Sequence, residues 1–144
     1  MKKFKQENLG AAFLLLVPFV ILMLLSQTVF KDLYFFEWTA DHYYSYLWVA
    51  VFWLTAIGKL KFSIPLSAGN FVGVFAGQFL GDYIRNKNMA KITEAMTAEQ
   101  QYQLQSHPGF QIWMNTLVIF LVSGLAISIY LGRKKQKKRK DSAL

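Results

Sequence analysis

Residues 69–85 read GNFVGVFAGQFLGDYIR, and within this stretch glycine recurs at every fourth position, at Gly69, Gly73, Gly77 and Gly81. Four residues advance an α-helix by slightly more than one turn, so these glycines form one smooth strip along a helix. Little hydrophobic force draws helices together in lipid, and such a strip lets another backbone approach closely. The spacing therefore predicts a helix-packing face within a membrane-spanning helix.

A polar strip follows the glycines one position along, at Asn70, Gln78 and Asp82. An amide without hydrogen-bond partners in hydrocarbon costs several kcal/mol, so Asn70 and Gln78 are expected to face protein or a watery cavity. Arg85 lies three residues after Asp82 and is expected to pair with it. Two interpretations of this helix stay open: it packs the helices of one monomer, or it lines a subunit interface or a narrow polar path.

Four apolar blocks account for most of the 144 residues, of which 54% are hydrophobic and 17% aromatic. They cover about 9–30, 43–58, 62–84 and 110–132, and a helix of roughly 20 residues crosses a hydrocarbon core about 30 Å thick. The sequence therefore predicts one all-α membrane domain with four transmembrane helices. The first block is too long for the apolar region of a signal peptide, and no small-x-small cleavage site follows it.

Basic residues indicate the orientation of this domain. With a cytoplasmic N-terminus, twelve of them fall on the inner side and four on the outer side, as the positive-inside rule requires. Both termini are therefore expected in the cytoplasm, with 85–109 as an outer loop and 133–144 as a basic tail at the plasma membrane. The tail is expected to bind anionic lipid headgroups rather than nucleic acid, through Arg133, Lys134, Lys135, Lys137, Lys138, Arg139 and Lys140.

Smaller features suggest how the predicted spans are joined. A tight turn at 59–61, with Pro65 in the first turn of the next helix, predicts an antiparallel hairpin of the second and third spans. Thr97 and Gln100 fit a capping box, which predicts a short helix over about 98–106. Aromatic residues are expected at the outer headgroup level. They are Phe30, Tyr34, Phe35, Phe36, Trp38, Tyr43, Tyr44, Tyr46, Trp48, Tyr83, Phe110 and Trp113.

Several chemistries are disfavoured by the residues present. There is no cysteine, which excludes disulfides and thiolate metal sites, and His42 and His107 show no metal-ligand spacing. No catalytic residue, metal or cofactor is therefore expected. The size and number of spans are similar to those of small multidrug transporters and holin-like proteins. Residues 9–30 nevertheless lack the glutamate that small multidrug transporters carry in their first span.

Three functional hypotheses follow. The first is a non-enzymatic, transport-related or accessory subunit that assembles through the glycine-rich helix, either with itself or with a larger membrane protein. The second is a membrane-embedded enzyme that acts on a lipid-linked substrate at the outer face, using Asp82, Arg85 and His107. The third is a membrane immunity or stress protein.

Overall fold

The computed structural model describes the backbone of residues 6–42 and 44–141, and the side chains of 8–42, 46–134 and 136. Within these ranges the chain is all-helical, as predicted, and contains no strand. Lys2, Lys3, Lys5 and Tyr43 lie outside the described residues. The helices are α1 (Gln6–Gln27), α2 (Tyr34–His42), α3 (Tyr44–Ala56), α4 (Leu60–Met89), α5 (Ala98–Gln105) and α6 (Gly109–Asp141).

Two of the described helices, rather than the four predicted, are both long and apolar enough to cross a membrane. They are the Asn8–Gln27 part of α1 and the Gly109–Lys134 part of α6. α3 has 13 residues, which at 1.5 Å per residue is about 20 Å, less than the hydrocarbon core. α4 has 30 residues, but its glycines, amides and charged last turns reduce its apolar character.

The connection between α3 and α4 is a helix-ending turn centred on Gly58. Its φ of 77° lies in the left-handed region, and the N–H of Lys59 donates to the carbonyl of Leu54 at 2.7 Å. This bond belongs to the Schellman motif, in which glycine ends a helix without a steric cost. α4 then begins at Leu60, so Pro65 lies in its second turn and not in its first as predicted.

α2 is a helix that the sequence analysis did not predict. It buries Phe35, Phe36 and Thr39 and packs against α1, α3 and α4. Phe36 meets the ring of Phe75 on α4 edge-on, with the ring centroids 5.2 Å apart. With only nine residues, α2 is too short for a clear helical period in the sequence, and its aromatic side chains match those of an interfacial loop equally well.

α4 is the central helix, and each of the other five packs against it. α6 runs antiparallel to it, with Gly124 beside Pro65 near the start of α4 and His107, just before α6, beside Gly81. α4 continues to Met89, which shortens the predicted outer loop. α6 continues as a helix through 133–141, so most of the predicted tail is helical.

The predicted capping box is confirmed at the start of α5. The N–H of Gln100 donates to the hydroxyl of Thr97 at 3.3 Å, and the N–H of Thr97 donates to the side-chain oxygen of Gln100 at 3.0 Å. Two of the N–H groups that a helix start leaves unpaired are satisfied in this way. α5 packs against α4 near its end.

Candidate functional site

The first half of the glycine strip is covered by α6. A Cβ atom added at Gly69 would lie 2.8 Å from Cβ of Phe120, and one added at Gly73 would lie 2.9 Å from Cδ1 of Trp113. Both distances are shorter than real Cβ contacts. Glycine at these positions is what lets the two helices approach so closely.

The second half of the strip is covered by α2 and by the start of α6. A Cβ atom at Gly77 would lie 2.6 Å from Cε1 of Phe35 and 2.8 Å from the carbonyl oxygen of Gly109. The ring of His107 lies directly against Gly81. The strip is therefore filled along its length by the same chain. This supports packing within one monomer and leaves the strip no room for another subunit.

Gln78 joins α4 to the start of α2. The backbone N–H of Phe35 donates to Oε1 of Gln78 at 2.7 Å, and Nε2 of Gln78 donates to Oδ2 of Asp82 at 2.5 Å. The first bond satisfies an N–H that the α2 helix start would otherwise leave unpaired. The sequence predicted that the Gln78 amide faces either protein or a watery cavity. Gln78 is 1% exposed and its amide faces protein.

His107 completes this cluster from the α6 side. Its Nε2 lies 3.2 Å from Oδ1 of Asp82, and the N–H of Gly109 donates to its Nδ1 at 3.0 Å. Because Nδ1 accepts a hydrogen bond, the ring proton is on Nε2, which donates to the carboxylate. We call Gln78, Asp82 and His107, together with the amides of Phe35 and Gly109, the polar junction.

The polar junction holds three helices together. The His107 side chain is 5% exposed and its ring packs against Tyr34, with the ring centroids 5.1 Å apart. The Asp82 side chain is 40% exposed, so the carboxylate forms the solvent-facing edge of the cluster. Since both ring nitrogens of His107 are already bonded, neither is free to act as a general base. This geometry favours a positioning role over the catalytic role considered for Asp82 and His107.

Arg85 does not form the expected ion pair with Asp82 within the described part of the chain. The Asp82 carboxylate is held by Gln78 and His107, and Nε of Arg85 donates instead to the carbonyl of Gln105 at 3.0 Å. Arg85 therefore links α4 to the end of α5 by a hydrogen bond. A cleft of about 220 Å³ opens beside it, lined by Tyr34, Arg85, Gln105 and His107.

Asn70 is a buried polar group in the α4–α6 contact. Its Oδ1 accepts a hydrogen bond from Nε1 of Trp113 at 2.9 Å, and both side chains are buried. Trp113 was predicted at the headgroup level; in the structure its indole is buried between α4 and α6. Its spacing from Leu117, Phe120 and Gly124 gives a helical stripe in the sequence that matches the face turned to α4.

Some buried polar atoms have no hydrogen-bond partner among the residues that the structure describes: Nδ2 of Asn70, Oγ of Ser63 and Nε1 of Trp48. In the predicted tail, Arg133 and Lys134 are exposed. The side chains of Lys135, Lys137, Lys138, Arg139 and Lys140 fall outside the described part.

The fold and its contacts define a small helical bundle built on one central, glycine-lined helix. No family model, curated protein or solved structure matches the chain.

Proposed function

We propose that this chain is a multi-pass protein of the bacterial plasma membrane whose four apolar segments cross the bilayer, with both termini in the cytoplasm. The exposure of its most apolar helices supports this proposal. Only 22% of the apolar stretch of α1, and 11% of the apolar stretch of α6, is buried. The core helix of a water-soluble protein would be mostly buried, and apolar surface on this scale is unfavourable in water.

The remaining two crossings are proposed for α3 and α4. The apolar side of α4 is exposed at Val72, Phe79 and Leu80, while its four glycines and its two buried amides face the other helices. α3 is short for a crossing, and the exposed Lys59 just after it can extend its side chain to the headgroups. α2 then lies towards the outer surface, where it packs on α4 at Phe75, Gly77 and Gln78.

Reporter fusions test this topology. We expect green fluorescent protein fused after Leu144 to fluoresce and alkaline phosphatase at the same position to be inactive. Alkaline phosphatase inserted between Glu94 and Ala95, in the exposed turn before α5, is expected to be active. The physical reason is the excess of basic residues on the proposed inner side. A periplasmic signal from the fusion after Leu144 would contradict the topology.

We further propose that the protein acts by binding, as a transport-related or accessory subunit, and that its partner covers the outward face of α6. The polar junction and the glycine strip are occupied within the chain, so neither is offered to a partner. The observation that carries the proposal is the uncovered face of α6 opposite α4, which exposes Gln111, Asn115, Val118, Val122 and Ile129.

The amides on this face favour a protein partner over lipid alone. Among the described residues, the side chains of Gln111 and Asn115 have no hydrogen-bond partner, and they lie one turn apart. Amides in transmembrane helices form hydrogen bonds across helix–helix interfaces. A larger membrane protein or a second copy of this chain would supply that bond.

Site-specific photo-crosslinking in native membranes tests the binding proposal. A photo-reactive residue at Val118 or Val122 should give a discrete protein adduct, whereas the same residue at Leu14, which is exposed on α1, should not. Mass spectrometry of the adduct distinguishes a second copy, a transport protein or a toxin, the last of which would favour the immunity hypothesis. If neither α6 position gives a protein adduct, the proposed binding face is wrong.

A further inference from the structure

An apolar groove runs between the first half of α4 and the middle of α6. Its volume is about 810 Å³, and most of its lining is aliphatic or aromatic, with two serine hydroxyls from α6. The residues that define it here are Ile64, Pro65, Phe120, Ser123, Ile127 and Leu131. It lies at the end of the bundle away from the polar junction and is separate from the cleft beside Arg85.

The length of the groove matches one leaflet of a bilayer. From Phe120 to Leu131, α6 rises about 16 Å at 1.5 Å per residue. Half of the hydrocarbon core is about 15 Å thick. One acyl chain lying along the groove would therefore extend from the headgroup level to the middle of the bilayer.

The charge at the mouth of the groove is positive. Lys61 lines the groove, Lys59 lies just before it, and Arg133 and Lys134 follow Leu131 on α6, and all four side chains are exposed. The ammonium of Lys61 lies 5.1 Å from the centroid of the Phe62 ring, which keeps the charge close to the apolar surface.

Acidic side chains are remote from this mouth wherever the structure describes them. They lie in or beside α2, near the end of α4, and in or before α5: Asp32, Glu37, Asp41, Asp82, Glu94 and Glu99. On α6, Lys134 continues the stripe of residues that lines the groove, whereas Arg133 lies on the opposite face of the helix. Lys59, Lys61 and Lys134 at the end of an apolar groove of leaflet length complement a phosphate attached to an acyl chain.

We infer that this groove binds an anionic phospholipid of the inner leaflet, with one acyl chain lying along the groove between α4 and α6 and the phosphate beside Lys61 and Lys134. The inference rests on the proposed membrane location. A second copy of the chain seated in this groove fits less well, because the groove ends beside Lys59, Lys61 and Lys134 and the second copy would bring the same cations to it.

Native mass spectrometry of the full chain, released from detergent with phosphatidylglycerol or phosphatidylcholine, tests the inference. We expect one phosphatidylglycerol to be retained about fivefold better than phosphatidylcholine for each cation engaged at the headgroup. Lys61→Gln should remove about fivefold of this preference. Lys31→Gln, which alters an exposed lysine at the other end of the bundle, should leave it unchanged.

A second pair of variants tests the groove itself. Ser123→Phe places a ring in the groove and should reduce the retention of both lipids, whereas Val122→Phe, on the outward face, should not. Three results would each overturn the inference. They are equal retention of the two lipids by the wild type, unchanged retention by Ser123→Phe, and a lipid-free dimer that Ser123→Phe dissociates.

Flotation with phosphatidylglycerol vesicles separates the lipid-site proposal from the proposed membrane location. If the chain floats but does not retain phosphatidylglycerol selectively, only the proposed lipid site is contradicted. If the chain does not float, the proposed membrane location is contradicted as well.

Discussion

Gly77→Ala is expected to lower the free energy of unfolding by about 3 kcal/mol, at the upper end of the usual cost of overpacking. The new methyl group would meet Cε1 of Phe35 at 2.6 Å and the carbonyl oxygen of Gly109 at 2.8 Å. The Phe35 ring is buried and cannot swing aside, and the Gly109 carbonyl is backbone at the start of α6. Relief therefore requires α2 and α6 to move away from α4 together.

Reversible unfolding in mild detergent, followed by tryptophan fluorescence during titration with sodium dodecyl sulfate, measures this loss. Gly10→Ala and Gly132→Ala are matched controls, because a Cβ atom at either helical position would have nothing within 4 Å. In these controls the alanine should be neutral or stabilise the helix by up to about 1 kcal/mol. A Gly77→Ala protein as stable as the wild type would contradict the packing of α2 and α6 on the glycine strip.

Gln78→Leu is expected to destabilise the bundle by about 3 kcal/mol, the cost of leaving a buried polar group unpaired. Leucine has a similar size but cannot accept the hydrogen bond from the Phe35 N–H or donate one to Asp82. α2 would lose the bond at its start. Asp82 would keep His107 as its bonded partner in the polar junction.

Hydrogen exchange measured by mass spectrometry separates this local effect from general destabilisation. In Gln78→Leu, the amides of α2 should exchange faster, with a smaller change in the middle of α6. The control is Gln111→Leu, which removes an exposed amide from α6 and should leave the stability of the isolated protein unchanged. If α2 and α6 lose protection equally, Gln78 does not specifically anchor α2.

The glycine strip shows how far local periodicity predicted the packing. The four-residue spacing identified the face of α4 that another backbone contacts, because a face follows from helical geometry alone. Which backbone fills the face could not be predicted. Phe120, Trp113 and His107 come from a part of the chain about 25 to 50 residues away, and no local pattern specifies that pairing.

In the polar junction, local spacing predicted the wrong partner. Asp82 and Arg85 have the spacing of a helical ion pair, so local reasoning paired them. The folded chain instead brings His107 and Gln78 to the Asp82 carboxylate, and Arg85 bonds to the end of α5. The hydrogen bond from His107 to Asp82 is favoured over an Asp82–Arg85 ion pair because His107 is held by its packed surroundings. An exposed ion pair would contribute little to stability.

From the sequence alone, the helical class, the smooth face of α4 and the cap of α5 could be determined, because each depends on residues within a few turns of one another. The tertiary structure decided that α6 and α2 fill that face, that Trp113 bonds to Asn70, and that the amides of α6 stay uncovered. These outcomes depend on contacts between distant segments, whose energies are set by how the whole bundle packs.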